Sequence, residues 1–121
     1  MDTIVEERGR IIPVAEGDFK TVLVIESKKG AVRANHWHKR DTHIMHIISG
    51  SARYVECEEV GGCAPPLYTL DRIEGPGDRI VTGPNIPHAM EFLEDSVMIV
   101  CSNQVRDEKT YLDEIVPMKV L

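Results

Sequence analysis

Histidine provides the side chains of this sequence that are best suited to chemistry. The chain has five histidines among 121 residues, and four of them have the spacing of metal ligands: His36, His38, His43 and His88. Residues two apart in a β-strand point to the same face, so His36 and His38 can offer ring nitrogens to one point in space. Neutral imidazoles that converge in an apolar interior can hold a divalent transition metal. The pattern therefore predicts one bound transition metal per chain.

The turn after the first histidine pair decides which later histidine joins it. A tight turn at 39–42 returns the chain on an adjacent antiparallel strand, which brings His43 beside the pair. His46 faces the opposite side of that strand, so it is interpreted as a structural histidine. The alternative for the whole group is a set of polar side chains at a strand end, solvated or paired with Asp41 and Glu91.

The same alternation predicts the surroundings of the histidines. Five residues in phase with them are expected to line a pocket for a small, partly apolar ligand: Ala34, Met45, Ile47, Met90 and Phe92. The alternative is that these residues are barrel core, and it is favoured for Met45 and Ile47. In a regular strand, Arg33, Asn35 and Trp37 would face the opposite side.

The elements that must position these residues are strands. Short β-branched and aromatic runs bounded by turn residues recur at a spacing of about ten residues, as in an all-β sandwich or barrel. The predicted strands are Arg10–Val14, Phe19–Ser27, Val32–His38, His43–Ile48, Ala52–Glu58, Tyr68–Asp71, Asp78–Val81, His88–Phe92 and Ser96–Ser102. One short helix is predicted at Glu108–Ile115. No linker or repeat divides the chain, so residues 1–121 are interpreted as one domain.

Composition narrows the classes of function. Lys and Arg number 14 and Asp and Glu number 20, so the formal net charge is 14 − 20 = −6, which disfavours a nucleic-acid partner. No apolar run approaches the roughly 20 residues that cross a bilayer, and the first residues lack the pattern of a secretory signal. We therefore expect a cytoplasmic protein without a membrane partner. So many short strands leave sheet edges with unpaired backbone groups, and a second copy of the chain can pair with them. We therefore also expect a homodimer.

The three cysteines carry little functional signal. Cys57, Cys63 and Cys101 form no CxxC pair, and cysteines of an intracellular protein are ordinarily reduced. We interpret them as small apolar or surface residues. A minor alternative is that Cys57 and Cys63, which flank a Gly-Gly turn, pair with each other.

Together the histidine motifs resemble those of the cupin family. The first cupin motif, G-x5-HxH-x4-E-x6-G, is matched over 30–50 with one departure, since His43 stands in the place of Glu. The second motif, G-x5-PxG-x2-H-x3-N, is matched loosely over 77–92, with His88 as its histidine. The resemblance implies a small single-domain double-stranded β-helix, or jelly-roll barrel. Its motif core would span 30–92, with one metal inside the wider end.

The replacement of the motif's Glu by His43 changes the expected metal site. In cupins that use oxygen, three His and one Glu commonly hold iron or manganese. An all-imidazole shell is neutral, so a bound cation keeps its charge and is a stronger Lewis acid. Such a shell also favours zinc, nickel, copper or ferrous iron over manganese and magnesium. The expected cofactor is one zinc, nickel or iron ion per chain.

A closer resemblance concerns the stretch 33–39. Its sequence, Arg-Ala-Asn-His-Trp-His-Lys, is similar to Arg-Gly-Asn-His-Tyr-His-Lys in cupins of nucleotide-sugar and surface-polysaccharide pathways. That group includes epimerases and ketoisomerases, which move protons next to a sugar carbonyl. The resemblance implies an isomerase or epimerase that acts next to a carbonyl of a sugar-type small molecule.

Two alternatives to this function stay open. One is a ferrous-iron-dependent dioxygenase, and the other is a non-catalytic cupin that senses a ligand or a metal. No catalytic residue is assigned, because histidines that bind a metal cannot also serve as free bases. Tyr54 and Tyr68 are weak candidates for an acid, and a packing role is favoured for both.

Overall fold

Short strands dominate the structure, a computed structural model that describes residues 1–58 and 68–121. Within those residues the elements are β1 (Ile4–Glu6), β2 (Gly9–Ile11), β3 (Thr21–Ser27), β4 (Val32–His38), β5 (His43–Ser49), β6 (Ala52–Glu56), β7 (Leu70–Glu74), β8 (Arg79–Thr82), β9 (His88–Phe92), β10 (Ser96–Ser102), α1 (Glu108–Glu114) and β11 (Ile115–Pro117). The described part of the chain contains no helix of the length and hydropathy that a membrane crossing requires.

Two antiparallel sheets enclose the core. One has the strand order β3-β10-β5-β8 and the other the order β11-β4-β9-β6-β7, while β1 and β2 form a separate hairpin. The main buried cluster takes Met45 and Met98 from the first sheet and Tyr54, Met90 and Phe92 from the second, so the core lies between the two sheets. This arrangement confirms the predicted all-β jelly roll.

The predicted elements agree with most of the observed ones. β4, β9 and β10 have the predicted bounds, and the helix ends one residue earlier than predicted. The prediction of a strand at Arg10–Val14 was wrong in its bounds, because β2 covers Gly9–Ile11 and Pro13 offers no N–H for a ladder. Two further strands begin later than predicted: β3 begins at Thr21 rather than Phe19, and β7 begins at Leu70 rather than Tyr68. Neither β1 nor β11 was predicted, because three residues are too few to show a period.

Two of the three cysteines lie within the described residues. Cys101 is a free, buried thiol in β10, and Cys57 is buried beside Val55 and Ala89. Cys63 lies outside the described residues, so the hypothesis that it pairs with Cys57 stays a prediction.

A bulge interrupts β4 immediately before its histidines. Ala34 and Asn35 have φ angles of 68° and 55°, and the pairing with β9 shifts register at this point. The Asn35 side chain accepts the backbone N–H groups of Val120 and Leu121, both at 2.9 Å. The extra residue restores Arg33 to the inner face of the sheet. Our prediction that Arg33 faces away from the histidines was therefore wrong.

Hydrogen bonds connect helix α1 to the turn between β4 and β5. Asp107 caps the helix by accepting the Thr110 N–H at 2.8 Å. Glu114, at the end of the helix, is buried and accepts the backbone N–H groups of Arg40 and Asp41, both at 2.6 Å. Since β11 then pairs with β4, this segment lies against the strand that carries two histidines.

Candidate metal centre

The four histidines predicted as ligands converge in one cavity. His36 and His38 come from β4, His43 from β5 and His88 from β9, and the strand register places His36 directly opposite His88. The ring centroids of neighbouring pairs lie 4.6 Å (His36–His38), 5.0 Å (His36–His88), 5.1 Å (His38–His43) and 5.3 Å (His43–His88) apart. The four rings therefore lie side by side, and the positions of their nitrogen atoms decide which of them can share an ion.

The ligand atoms form two overlapping groups rather than one. In the first group, ring nitrogens of His36, His38 and His88 all lie within 4.8 Å of one another. In the second, His38 and His43 meet a carboxylate oxygen of Asp41 within the same limit. His38 belongs to both groups and is the centre of the arrangement.

Two of the histidines are oriented by a hydrogen bond at Nδ1. The Nδ1 of His88 lies 2.9 Å from the Ile86 carbonyl oxygen, and the Nδ1 of His43 lies 3.2 Å from Oδ2 of Asp41. Because both partners are acceptors, each Nδ1 carries the hydrogen and each Nε2 keeps a lone pair for a metal. A metal-ligating histidine ordinarily has such an outer partner.

A buried nitrogen of His38 lacks a partner. Among the described residues, no group forms a hydrogen bond with its Nδ1, and the Asp41 oxygen is 3.7 Å away. The His38 side chain is 1% exposed, so bulk solvent does not reach this nitrogen. An unsatisfied buried nitrogen next to other imidazoles fits the donor set of a transition-metal site.

The environment keeps three of these imidazoles neutral. Burial, reinforced by the electrostatic influence of the neighbouring His43, lowers the pKa of His36 to about 4 and that of His38 to about 3. The same two causes hold the pKa of His88 well below its ordinary value. Their lone pairs are therefore free near pH 7, as metal binding requires.

Asp41 links the histidines to the rest of the molecule. Its buried carboxylate accepts hydrogen bonds from Ser102 Oγ at 2.6 Å and Arg106 Nη2 at 2.7 Å, in addition to His43. Burial acts to raise the pKa of Asp41, but the hydrogen bonds from His43, Ser102 and Arg106 together outweigh it and hold the pKa well below its ordinary value. Asp41 is thus an anion that balances the Arg106 guanidinium.

The cavity differs in part from the predicted pocket. It has a volume of about 70 Å³, and Ala34, Met45 and Met90 line it beside the histidines. Ile47 and Phe92 were also expected to line it, but both are buried in the core and lie outside its lining. They sit one step further along β5 and β9, deeper between the sheets.

Several lining residues were not predicted from the sequence. Met98 and Val100 of β10 line the cavity, and their alternation in a predicted strand was a signal that could have found them. Arg33 was missed because of the bulge. Arg106 and Tyr111 also line the cavity, but they follow the last long strand and have no periodic pattern to place them.

The remaining candidates lie outside the lining of the cavity, although the Tyr54 ring is 6.3 Å from that of His88. His46 is on the outer side of β5, opposite Arg79 in the register with β8. The Tyr54 hydroxyl donates to Glu56 Oε2 at 2.6 Å and contacts Thr82, and burial raises its pKa. The Tyr68 hydroxyl donates to the Val120 carbonyl oxygen at 2.8 Å. Both tyrosine hydroxyls are therefore used in hydrogen bonds within the fold.

Solved structures of sugar-modifying enzymes share this fold. A 3,4-ketoisomerase from Helicobacter canadensis has a TM-score of 0.75 and 18% identity, over 95% of this chain and 84% of that one. QdtA, a sugar 3,4-ketoisomerase from Thermoanaerobacterium thermosaccharolyticum in complex with TDP, has a TM-score of 0.68 and 21% identity, over 94% and 81%. The dTDP-4-dehydrorhamnose 3,5-epimerase from Sulfolobus tokodaii has a TM-score of 0.70 and 17% identity, over 89% and 69%. No protein-family model and no curated protein matches the chain.

The jelly roll and these likenesses define a protein with the cupin fold. Among the solved structures that share this fold are sugar 3,4-ketoisomerases and a 3,5-epimerase, the kinds of enzyme that the resemblance of the stretch 33–39 implied.

Proposed function

We propose that the chain is a metal-dependent isomerase or epimerase that acts next to a carbonyl of a sugar-type small molecule. The observation that supports this function is the convergence of four histidines in one narrow cavity. The fold is shared with sugar ketoisomerases and a sugar epimerase, which makes this reaction class the first to test.

The histidines would hold one zinc, nickel or iron ion. His36, His38 and His88 form the tighter group, and His43 offers a fourth nitrogen whose orientation Asp41 maintains. When bound, such an ion polarises a carbonyl and so acidifies the neighbouring C–H bond. With the imidazoles used as ligands, the proton must be moved by another side chain.

Tyr111 is the side chain that we assign to proton transfer. The described lining of the cavity holds histidines, apolar residues, two arginines and Tyr111, and of these only Tyr111 is both outside the ligand set and equipped with a hydroxyl that can donate or accept a proton. Its ring centre lies 6.2 Å from that of His38, so its hydroxyl can reach a substrate held beside the histidines.

Elemental analysis and solvent deuterium exchange test the proposed function. Protein purified without chelator should contain about one zinc, nickel or iron ion per chain, and it should exchange the C–H hydrogens next to the carbonyl of a keto-sugar or keto acid with solvent. Removal of the metal should abolish the exchange, and readdition should restore it. Exchange that survives complete metal removal would contradict metal dependence, and absence of exchange with every carbonyl compound would contradict the reaction class.

A dioxygenase is the second candidate, and one observation favours it. His38, His43 and Asp41 form a group of two histidines and one carboxylate, a set that non-haem iron oxygenases use. Against it, the Asp41 carboxylate already accepts hydrogen bonds from Ser102 and Arg106. Iron content together with substrate-triggered oxygen consumption would favour this function. Tight ligand binding without exchange or oxygen consumption would instead favour a sensing role.

A further inference from the structure

We propose that the histidine cavity takes a short keto acid that carries no nucleotide, and that Arg33, Arg106 and Tyr111 set this specificity. The inference rests on the proposed function for its chemistry and names the substrate class of the same site. It separates this chain from its structural neighbour QdtA, whose solved complex contains TDP.

The first argument is size. The cavity measures about 70 Å³, whereas pockets that enclose an ordinary organic ligand measure roughly 300–1,000 Å³. A metal held by the histidines would occupy part of this space. Only a ligand of a few carbons therefore fits entirely beside the ring nitrogens.

The second argument is that fixed side chains cause the small size. The guanidinium of Arg106 donates to Asp41 at 2.7 Å and lies 5.3 Å from the centre of the Tyr111 ring. At the other end of the helix, buried Glu114 accepts the N–H groups of Arg40 and Asp41. The wall made by Arg106 and Tyr111 is thus held at both ends, so its position is part of the fold.

The third argument is charge. Two guanidinium groups and no carboxylate line the described part of the cavity. Arg106 is balanced by Asp41, but Arg33 uses its nitrogens on neutral partners: Nε donates to Ser27 Oγ at 2.8 Å and Nη2 donates to the Glu26 carbonyl oxygen at 3.1 Å. No described carboxylate forms an ion pair with Arg33. Its positive charge fits the carboxylate of a ligand whose carbonyl points toward the histidines.

Calorimetric titration of the metal-loaded protein tests the ligand class. We expect pyruvate to bind and TDP to show no binding at the same concentration. Arg33→Gln should weaken pyruvate binding roughly tenfold or more, since a hydrogen-bonded charge pair contributes at least about that much. The matched control is Arg53→Gln, which removes an exposed guanidinium paired with Asp71 and should leave pyruvate binding unchanged. TDP binding tighter than that of pyruvate, or pyruvate binding indifferent to Arg33→Gln, would overturn the inference.

A larger keto acid tests whether the wall made by Arg106 and Tyr111 limits the size of the ligand. The wild-type protein should bind pyruvate at least roughly tenfold more tightly than phenylpyruvate, and Tyr111→Ala should remove this preference because it deletes the ring. Tyr111→Phe keeps the ring and should keep the preference. A preference that persists in Tyr111→Ala would refute the role of the wall.

Deuterium exchange then separates this inference from the proposed function. Suppose that pyruvate binds as expected but that no carbonyl compound exchanges its C–H hydrogens with solvent. The proposed reaction is then wrong, and the proposed ligand class is retained. Suppose instead that neutral keto-sugars or a TDP-linked keto-sugar exchange C–H hydrogens with solvent, while pyruvate neither binds nor exchanges. The proposed ligand class is then wrong, and the proposed reaction is retained.

Discussion

His38 is the residue on which the candidate metal centre depends most. It belongs to both groups of ligand atoms, and the described structure leaves its buried Nδ1 without a hydrogen bond. We predict that His38→Ala reduces the metal content from about one ion per chain to near zero while the circular dichroism spectrum is retained. The fold should survive because the core cluster between the sheets does not include His38.

His46→Gln is the control for that measurement. His46 is as buried as His43, both at 3% exposure, but it faces the outer side of β5. The His46 variant should keep its metal. Equal metal loss in both variants, or unchanged metal in His38→Ala, would show that the ligand set is wrong.

Tyr111 tests the chemistry separately from the metal. We predict that Tyr111→Phe lowers the rate of C–H exchange by roughly 10²–10⁴-fold, the usual contribution of a positioned acid or base, while the metal content stays the same. Mass spectrometry of the product in deuterated water measures the rate. An unchanged rate would remove Tyr111 from the reaction.

The sequence predicted residues that follow a period and missed those that do not. The four histidines could be placed together because alternation in β4 and the turn to β5 determine which side chains share a face. Arg33 could not be placed, since the bulge depends on left-handed backbone at Ala34 and Asn35 that no side-chain pattern reports. Tyr111 could not be placed either, because it comes from a connecting segment.

At the scale of elements, the β5–β6 turn depends on a glycine. Gly50 has a φ of 87°, and a Cβ atom there would overlap Ser96 Oγ and the Asp95 carbonyl oxygen. Gly30 has the same φ, but a Cβ atom there would meet nothing within 4 Å. We predict that Gly50→Ala lowers the free energy of unfolding by roughly 1–3 kcal/mol more than Gly30→Ala does, as overpacking ordinarily costs. Urea denaturation measures both, and equal losses would mean that the turn relaxes freely.

Asp41 joins three elements, and its removal should be costly. The carboxylate connects the β4–β5 turn to Ser102 at the end of β10 and to Arg106 before the helix. We predict that Asp41→Asn lowers the free energy of unfolding by about 3–5 kcal/mol, because it leaves a largely buried guanidinium without its counter-charge. Asp71→Asn, which breaks the exposed pair with Arg53, should cause little change in the same urea titration. Similar effects of the two variants would contradict the role given to Asp41.

Elements were predictable where strands are long enough to show alternation. The seven-residue strands β4 and β10 have the predicted bounds, whereas the three-residue strand β11 escaped detection. β11 exists because β4 offers it a partner, and that partner lies far away in the sequence. Tertiary pairing of this kind has no local signal.

At the scale of the whole molecule, one sheet presents an apolar outer face. Val22 and Val24 of β3, Ile48 of β5 and Val81 of β8 are exposed by 63%, 66%, 47% and 56%. Exposed apolar side chains on one sheet are typical of an interface. They support the homodimer expected from the sequence, which stays a prediction.

Sedimentation velocity tests the dimer. We expect the wild-type chain to sediment as a dimer and the double variant Val24→Lys, Val81→Lys to sediment as a monomer. Ile73→Lys introduces a lysine at an equally exposed position of the other sheet and should leave the dimer intact. A monomeric wild type, or a dimer that tolerates both lysines, would refute this interface.

Because of the bulge in β4, the number of residues in that strand determines which side chains face the cavity. With one residue fewer, the side chains before His36 would exchange faces, and the guanidinium would leave the cavity while both histidines of the strand kept their orientation. A single inserted or deleted residue could thus turn a site that captures a charged ligand into one that only holds an ion. Among chains of this fold, the spacing between arginine and histidine would then be as informative about ligand choice as the identity of either residue.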